Sequence, residues 1–162
     1  MKAFKISVAV LSMLFGILGA AAQCASENVA LKQECENKVK KAAELIKKIG
    51  PEAAFHIITD PSGPFVDKNS HVFCIDINSG TVLAHKFSLA VGFNMRHYKD
   101  AQQGTPYTAI LNLAPKKEKG WFTYTSYGTG PERRDTPALK YMHYYRVAGT
   151  DILLCCGYWE DA

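Results

Sequence analysis

Five histidines and five cysteines are the side chains of this 162-residue chain with the most reactive chemistry to offer. His56, His71, His85, His97 and His143 form no HxH or HExxH pair and stand at no Cys–His spacing that holds zinc. Cys24, Cys35, Cys74, Cys155 and Cys156 form neither CxxC nor CxxCH, so no dithiol redox motif and no haem attachment is signalled. No GxSxG elbow and no paired carboxylates stand out. Asp76–Gly80 reads D-x-N-x-G, the opening of a calcium loop, but position twelve, where a bidentate Glu belongs, is Phe87. A hairpin turn accounts for those residues. The expectation is a protein without catalytic residues, metal or cofactor.

One constellation points to binding. In ALKYMHYYRV (138–147) strand alternation puts Lys140, Met142, Tyr144 and Arg146 on one face, and Leu139, Tyr141, His143, Tyr145 and Val147 on the other. In WFTYTSY (121–127), Trp121, Thr123, Thr125 and Tyr127 share a face. Both faces carry large aromatics, so both should be covered, one by helices and one by long loops. A lysine among Trp and Tyr beneath loops has the composition of a small anion site. The same composition also suits a lysine that snorkels to solvent above a plain aromatic core. His85, at the end of the hairpin HVFCIDINSGTVLAH (71–85), is either a donor at such a site or an end-of-strand polar residue.

The elements that would position these groups are legible. Cys35, Val39, Ala42, Ile46 and Ile49 recur every three or four residues, with Lys38, Lys40, Lys41, Glu44, Lys47 and Lys48 mostly off the seam, which predicts a helix over 26–49 stopped by Gly50-Pro51. That helix lies across a sheet or also pairs with its copy in a homodimer. PEAAFHII reads as a short second helix, and 59–70 as a loop. Two hairpin strands turn at Asn78-Ser79-Gly80. A loop spans 87–104, a helix starts near Thr105, and three strands follow: 121–127, 138–147 and 151–159, with a turn region at 128–137. The order is that of an α+β fold with an antiparallel sheet.

Length allows one domain with a real core. Hydrophobic residues make up 48% and charged residues 21%, which excludes a disordered chain. Lys2 and Lys5 precede an apolar run that ends in small residues, with Ala20 and Ala22 in a small-x-small pattern. Residues 1–22 therefore read as a signal peptide and 23–162 as the mature domain, exported to the periplasm or secreted. A retained anchor would need a somewhat longer run. Cleavage removes two lysines from a formal charge of +4. The remaining basic residues are scattered or lie on one helix face, so no nucleic-acid surface is indicated. Export implies an oxidising compartment, and an odd cysteine count leaves at least one thiol free or paired between chains. Cys24 and Cys35 lie about 16 Å apart along a helix, too far for a bond between them.

Taken together, AAELIKKIGPEAAF, DPSGPFVDKNSHVFCIDINSGTVLAHKFS, VGFN, KGWFTYT and DILLCCGYW resemble the single Cache domains, extracytoplasmic PAS-like sensor modules that also occur as standalone secreted proteins. The resemblance covers roughly residues 36–159. It implies a long N-terminal helix packed on a five-stranded antiparallel sheet, with a ligand cavity on the far side under loops. It implies sensing without catalysis, of small organic acids such as acetate, propionate, pyruvate or lactate, through a receptor or transporter partner. The residues it places at the cavity are His85, Trp121, Lys140 and Tyr144, with Phe65 and Met95 as walls. The chain departs from the pattern after Val91-Gly92, where FNMRHYKDAQQG replaces a leucine-rich segment. The alternative is an interaction or dimerisation module whose pocket is filled by its own aromatics.

Overall fold

A computed structural model describes residues 9–128 and 133–160, with side chains from residue 28 onward. The chain forms helix α1 (Ala9–Ile49), helix α2 (Pro51–Thr59), strands β1 (His71–Asp76) and β2 (Val82–Ala84), helix α3 (Pro106–Leu113), and strands β3 (Lys119–Ser126), β4 (Ala138–Arg146) and β5 (Ile152–Trp159). Two single 3₁₀ turns, Ser88–Ala90 and Met95–His97, interrupt the segment between β2 and α3. Among the described residues no helix is long and apolar enough to cross a membrane. The cut expected after Ala22 falls within α1, outside the residues whose side chains are described.

All five strands form one antiparallel sheet in the order β2-β1-β5-β4-β3. The last strand is therefore the central one, and all eight of its residues are buried. The fold is the expected α+β arrangement, a long N-terminal helix on a five-stranded antiparallel sheet. Because side chains alternate across the sheet, two cores result. On one face Cys35, Val39, Ala42 and Ile46 of α1 meet Val72, Cys74, Leu154, Cys156 and Tyr158. On the other, Tyr107, Ile110 and Leu111 of α3 meet Ile75, Val82, Leu153 and Cys155. The far face was expected under loops alone; α3 covers part of it because Pro106 starts a helix whose apolar side has only the sheet to bury against.

Gly50 stops α1 with φ +82°, a left-handed conformation that costs a residue with Cβ. The turn after β1 is held by Asp76, whose Oδ1 accepts from the Ser79 N–H at 2.7 Å and from the Ser79 hydroxyl at 2.8 Å. A Cβ at Gly80 (φ +80°) would come within 2.8 Å of Asn94 Oδ1. The four cysteines whose side chains are described are buried thiols. A hydrogen bond with Cys156, together with burial, pushes the Cys35 thiol far above its ordinary value.

Two residues of α1 differ from the helical reading. Ile49 was placed in the seam but is 40% exposed, at the helix end where α1 leaves the sheet. Lys38 was placed off the seam but is buried. Its ammonium is paired with Asp67, with Glu34 one turn earlier at 2.6 Å, and with the Ser70 hydroxyl at 2.7 Å. Those partners make burial of the charge tolerable, and they tie the loop after α2 to α1. Burial works against ionisation of Asp67, but hydrogen bonds from Lys38 and from the backbone N–H groups of Ser70 and Asn69 hold its carboxyl well below the ordinary 3.8. The contribution of a carboxylate so lowered is present above 3.8 and is lost as pH falls towards the folded value.

Lys38→Ala is expected to lower stability by about 1–3 kcal/mol, read as a drop in urea midpoint. An unchanged midpoint would show that the cluster contributes nothing. The stability gap between the wild type and Asp67→Asn should shrink when the pH is taken from neutral to below 3.8.

Candidate functional site

The face of the sheet away from α1 is not fully covered by α3. Between it and the chain running from His85 to Phe93 lies a cavity of about 610 Å³. Three rows of residues run across the sheet face turned towards it. Trp159, Lys140 and Tyr124 are register partners across β5, β4 and β3. His71, Gly157, Met142 and Phe122 form the next row, and Phe73, Cys155, Tyr144 and Gly120 the third. Gly157 is required where it stands: a Cβ there would lie 2.5 Å from the Tyr141 carbonyl oxygen and 2.8 Å from the Met142 methyl. Lys140 and His71 therefore face the cavity from either side of bare backbone.

Lys140 is 9% exposed, and its Nζ stands 4.4 Å from the centre of the Trp159 ring. The Arg134 guanidinium stands 4.5 Å from the same ring. An ammonium over an indole is attracted by the negative face of the ring. Beyond Lys140 and His71 a second, smaller pocket of about 180 Å³ includes Lys68, Asn69 and Arg134 in its lining. Among the described residues lining either cavity, none is acidic.

His71 and His85 meet Nε2 to Nε2 at 3.2 Å, with ring centroids 4.8 Å apart. His85 Nδ1 accepts the backbone N–H of Phe87 at 3.0 Å. That hydrogen bond leaves Nδ1 without a proton, so neutral His85 carries its proton on Nε2 and donates it to His71 Nε2. His71 must then carry its proton on Nδ1. Burial, and then the charges of His85, Lys86, Lys140 and Lys38, push the His71 pKa well below 6.5. His71 is thus held neutral, by burial first and by the surrounding cations second.

The remaining wall is aromatic. The Tyr107 and Tyr124 hydroxyls are hydrogen-bonded at 2.9 Å, and Tyr98 bonds the Ser126 hydroxyl at 2.7 Å. Their rings meet edge to face, at 5.4 Å for Tyr98–Tyr107 and 5.7 Å for Tyr98–Tyr124. The rings line a cavity rather than fill it, which corrects the picture of a pocket closed by its own aromatics.

Of the six residues singled out from the sequence, His85, Lys140 and Met95 line the cavity. The other three do not. Trp121 is the register partner of His143, so it lies on the α1 face, where its Nε1 donates to Glu36 at 3.0 Å. Phe65 belongs to the α1-side core. Tyr144 is on the cavity face but in the third row, where its ring lies across Gly120; a Cβ on that glycine would be 2.8 Å from the Tyr144 hydroxyl. That hydroxyl is buried and has no hydrogen-bond partner. The tryptophan beside Lys140 is Trp159. Sequence reading also passed over His71, Phe73, Tyr98, Tyr107 and Tyr124. Alternation along HVFCID puts His71 on one face with Phe73, and that was the signal available.

No protein-family model matches this sequence, and no curated protein is significantly similar to it. Solved structures are similar in fold. A methyl-accepting chemotaxis protein from Vibrio parahaemolyticus RIMD 2210633 aligns with a TM-score of 0.66 at 16% identity, over 87% of this chain and 96% of that one. A periplasmic sensor domain of a chemotaxis protein gives 0.56 at 13%, over 88% and 96%. A Cache chemosensory domain, solved to explain its carboxylic acid recognition, gives 0.59 at 14%, over 86% and 95%. The fold is shared with these chemotaxis structures, a Cache chemosensory domain among them, as the sequence resemblance implied.

Nitrogen-detected NMR of the histidine rings should find His71 as the Nδ1–H tautomer and His85 as the Nε2–H tautomer at neutral pH, with His71 still neutral at 6.5. A His71 half-protonated at that pH would refute the assignment. Because the folded value is lowered, stability from the neutral pair is present above 6.5 and lost on acidification. Tyr144→Phe removes an unpaired buried hydroxyl, so thermal melting should be unchanged or slightly raised.

Proposed function

We propose that this chain is an exported binding domain that senses organic carboxylates and acts through a partner protein, without catalysis. The observation that carries the reading is the placement of Lys140: a nearly buried ammonium against an indole, facing a roomy apolar cavity, with two histidines across bare strand backbone. Hydrogen bonds from an ammonium to a carboxylate are of the strong, charge-assisted kind. They gain further from a surrounding of low polarity. His85 contributes the Nε2–H that it now donates to His71: a carboxylate that accepts this proton would take the place of the His71 ring as its acceptor. The recognition of carboxylic acids by a Cache domain of the same fold supports the assignment, and the periplasmic setting of another supports export through the N-terminal leader.

Thermal melting with monocarboxylates of two to ten carbons, each beside its primary amide, tests the proposal. At about 100 times the dissociation constant a ligand stabilises by about 2.7 kcal/mol, or about 5–10 °C for a domain of this size. At least one acid should give that rise, its amide should not, and Lys140→Met should abolish it. If no acid of any length shifts the melting temperature, the carboxylate reading fails.

A further inference from the structure

The cavity is much larger than a two- to four-carbon acid requires. At roughly 30 Å³ per heavy atom, the share of a water molecule in the liquid, 610 Å³ has room for about 20 heavy atoms. Acetate would take about a fifth of it. The rest would hold water against Phe73, Phe93, Met95, Met142 and the Trp159 ring. Water there finds few partners, because the hydroxyls on the tyrosine wall are engaged with one another: Tyr107 with Tyr124, and Tyr98 with Ser126. Such poorly held water is the kind whose displacement by an apolar group raises affinity. The hydrogen-bond donors that suit an anion, by contrast, gather at Lys140, Lys86 and the His71–His85 pair. None of the described lining residues could receive an ammonium as a carboxylate would.

On the carboxylate reading above, we infer that the guest is a monocarboxylic acid of about ten to fifteen heavy atoms, without an amino group, whose aryl or alkyl body fills the apolar part of the cavity. The carboxylate meets Lys140 and the histidine pair, and the body lies along the aromatic wall. This excludes the shortest acids and the α-amino acids as preferred ligands. Each buried methylene is worth about fourfold in affinity, so length is readable in binding constants.

Calorimetric titration of the full chain with acetate, butyrate, octanoate, 3-phenylpropionate, phenylalanine and 3-phenylpropionamide tests the inference. Octanoate or 3-phenylpropionate should bind at least about a hundredfold more tightly than acetate. Phenylalanine, which adds only an ammonium to 3-phenylpropionate, should bind at least about tenfold more weakly than it. Preference for octanoate assigns an alkyl body, and preference for 3-phenylpropionate an aryl one. Ala90→Trp narrows the cavity from the 85–93 segment and should reduce the advantage of the long acids over acetate. If that variant melts early, the ligand series on the unaltered chain decides. Acetate or butyrate binding as tightly as the long acids overturns the bulky body while the carboxylate reading stands. Phenylalanine binding as tightly as 3-phenylpropionate overturns the exclusion of the amino group. Silence from every acid removes the carboxylate reading and this inference with it.

Discussion

A strand with both faces buried can carry almost nothing that needs water, and β5 is such a strand from Ile152 to Trp159. Hydrogen-bonded to β1 on one side and β4 on the other, it divides the interior into two apolar layers. Leu154, Cys156 and Tyr158 belong to the layer under α1; Leu153 and Cys155 belong to the layer under α3. The polar chemistry of the cavity is therefore pushed to the flanking strands, with His71 on β1 and Lys140 on β4. Their spacing across the cavity floor is set by the width of one strand between them.

That placement gives the site an unusual electrostatic balance. Lys140, Lys86 and Lys38 all disfavour a charged His71, and burial disfavours it more. His71 responds by staying neutral and accepting at Nε2 the proton that His85 holds on its own Nε2. The cationic character of the cavity thus resides in ammonium groups, while the histidine pair supplies one hydrogen-bond donor, the Nε2–H of His85. On the α1 face, His143 is also held neutral, with its pKa lowered to about 4 by burial in spite of Glu36, but beside Trp121 and away from the cavity. Two histidines of similar burial have different surroundings because strand parity sends them to opposite layers.

Parity is also where sequence reading reached its limit. Within one strand, period-two alternation sorts side chains by face, and the grouping of Lys140, Met142 and Tyr144 was legible for that reason. Which face of one strand continues which face of the next depends on register, which no single strand contains. Trp121 was joined to Lys140 when its register partner is His143. Trp159 escaped notice because β5 is apolar throughout and offers no alternation to read. The element order, the Gly50 stop and the hairpin followed from local chemistry. Lys38 did not: its burial depends on Asp67 and Ser70, about thirty residues away along the chain. The aromatic wall was equally hidden, since Tyr98 and Tyr107 come from segments with no strand period, brought together only by the tertiary fold.

The glycine in the middle of β5 has a wider effect than its own small volume suggests. The Met142 side chain lies over Gly157, in space that any larger residue would claim. A thioether is flexible and has somewhere to go, namely outward into the chamber. The Tyr141 carbonyl oxygen has not, since it would stand 2.5 Å from a Cβ there, so the chamber keeps its shape only while that position stays bare.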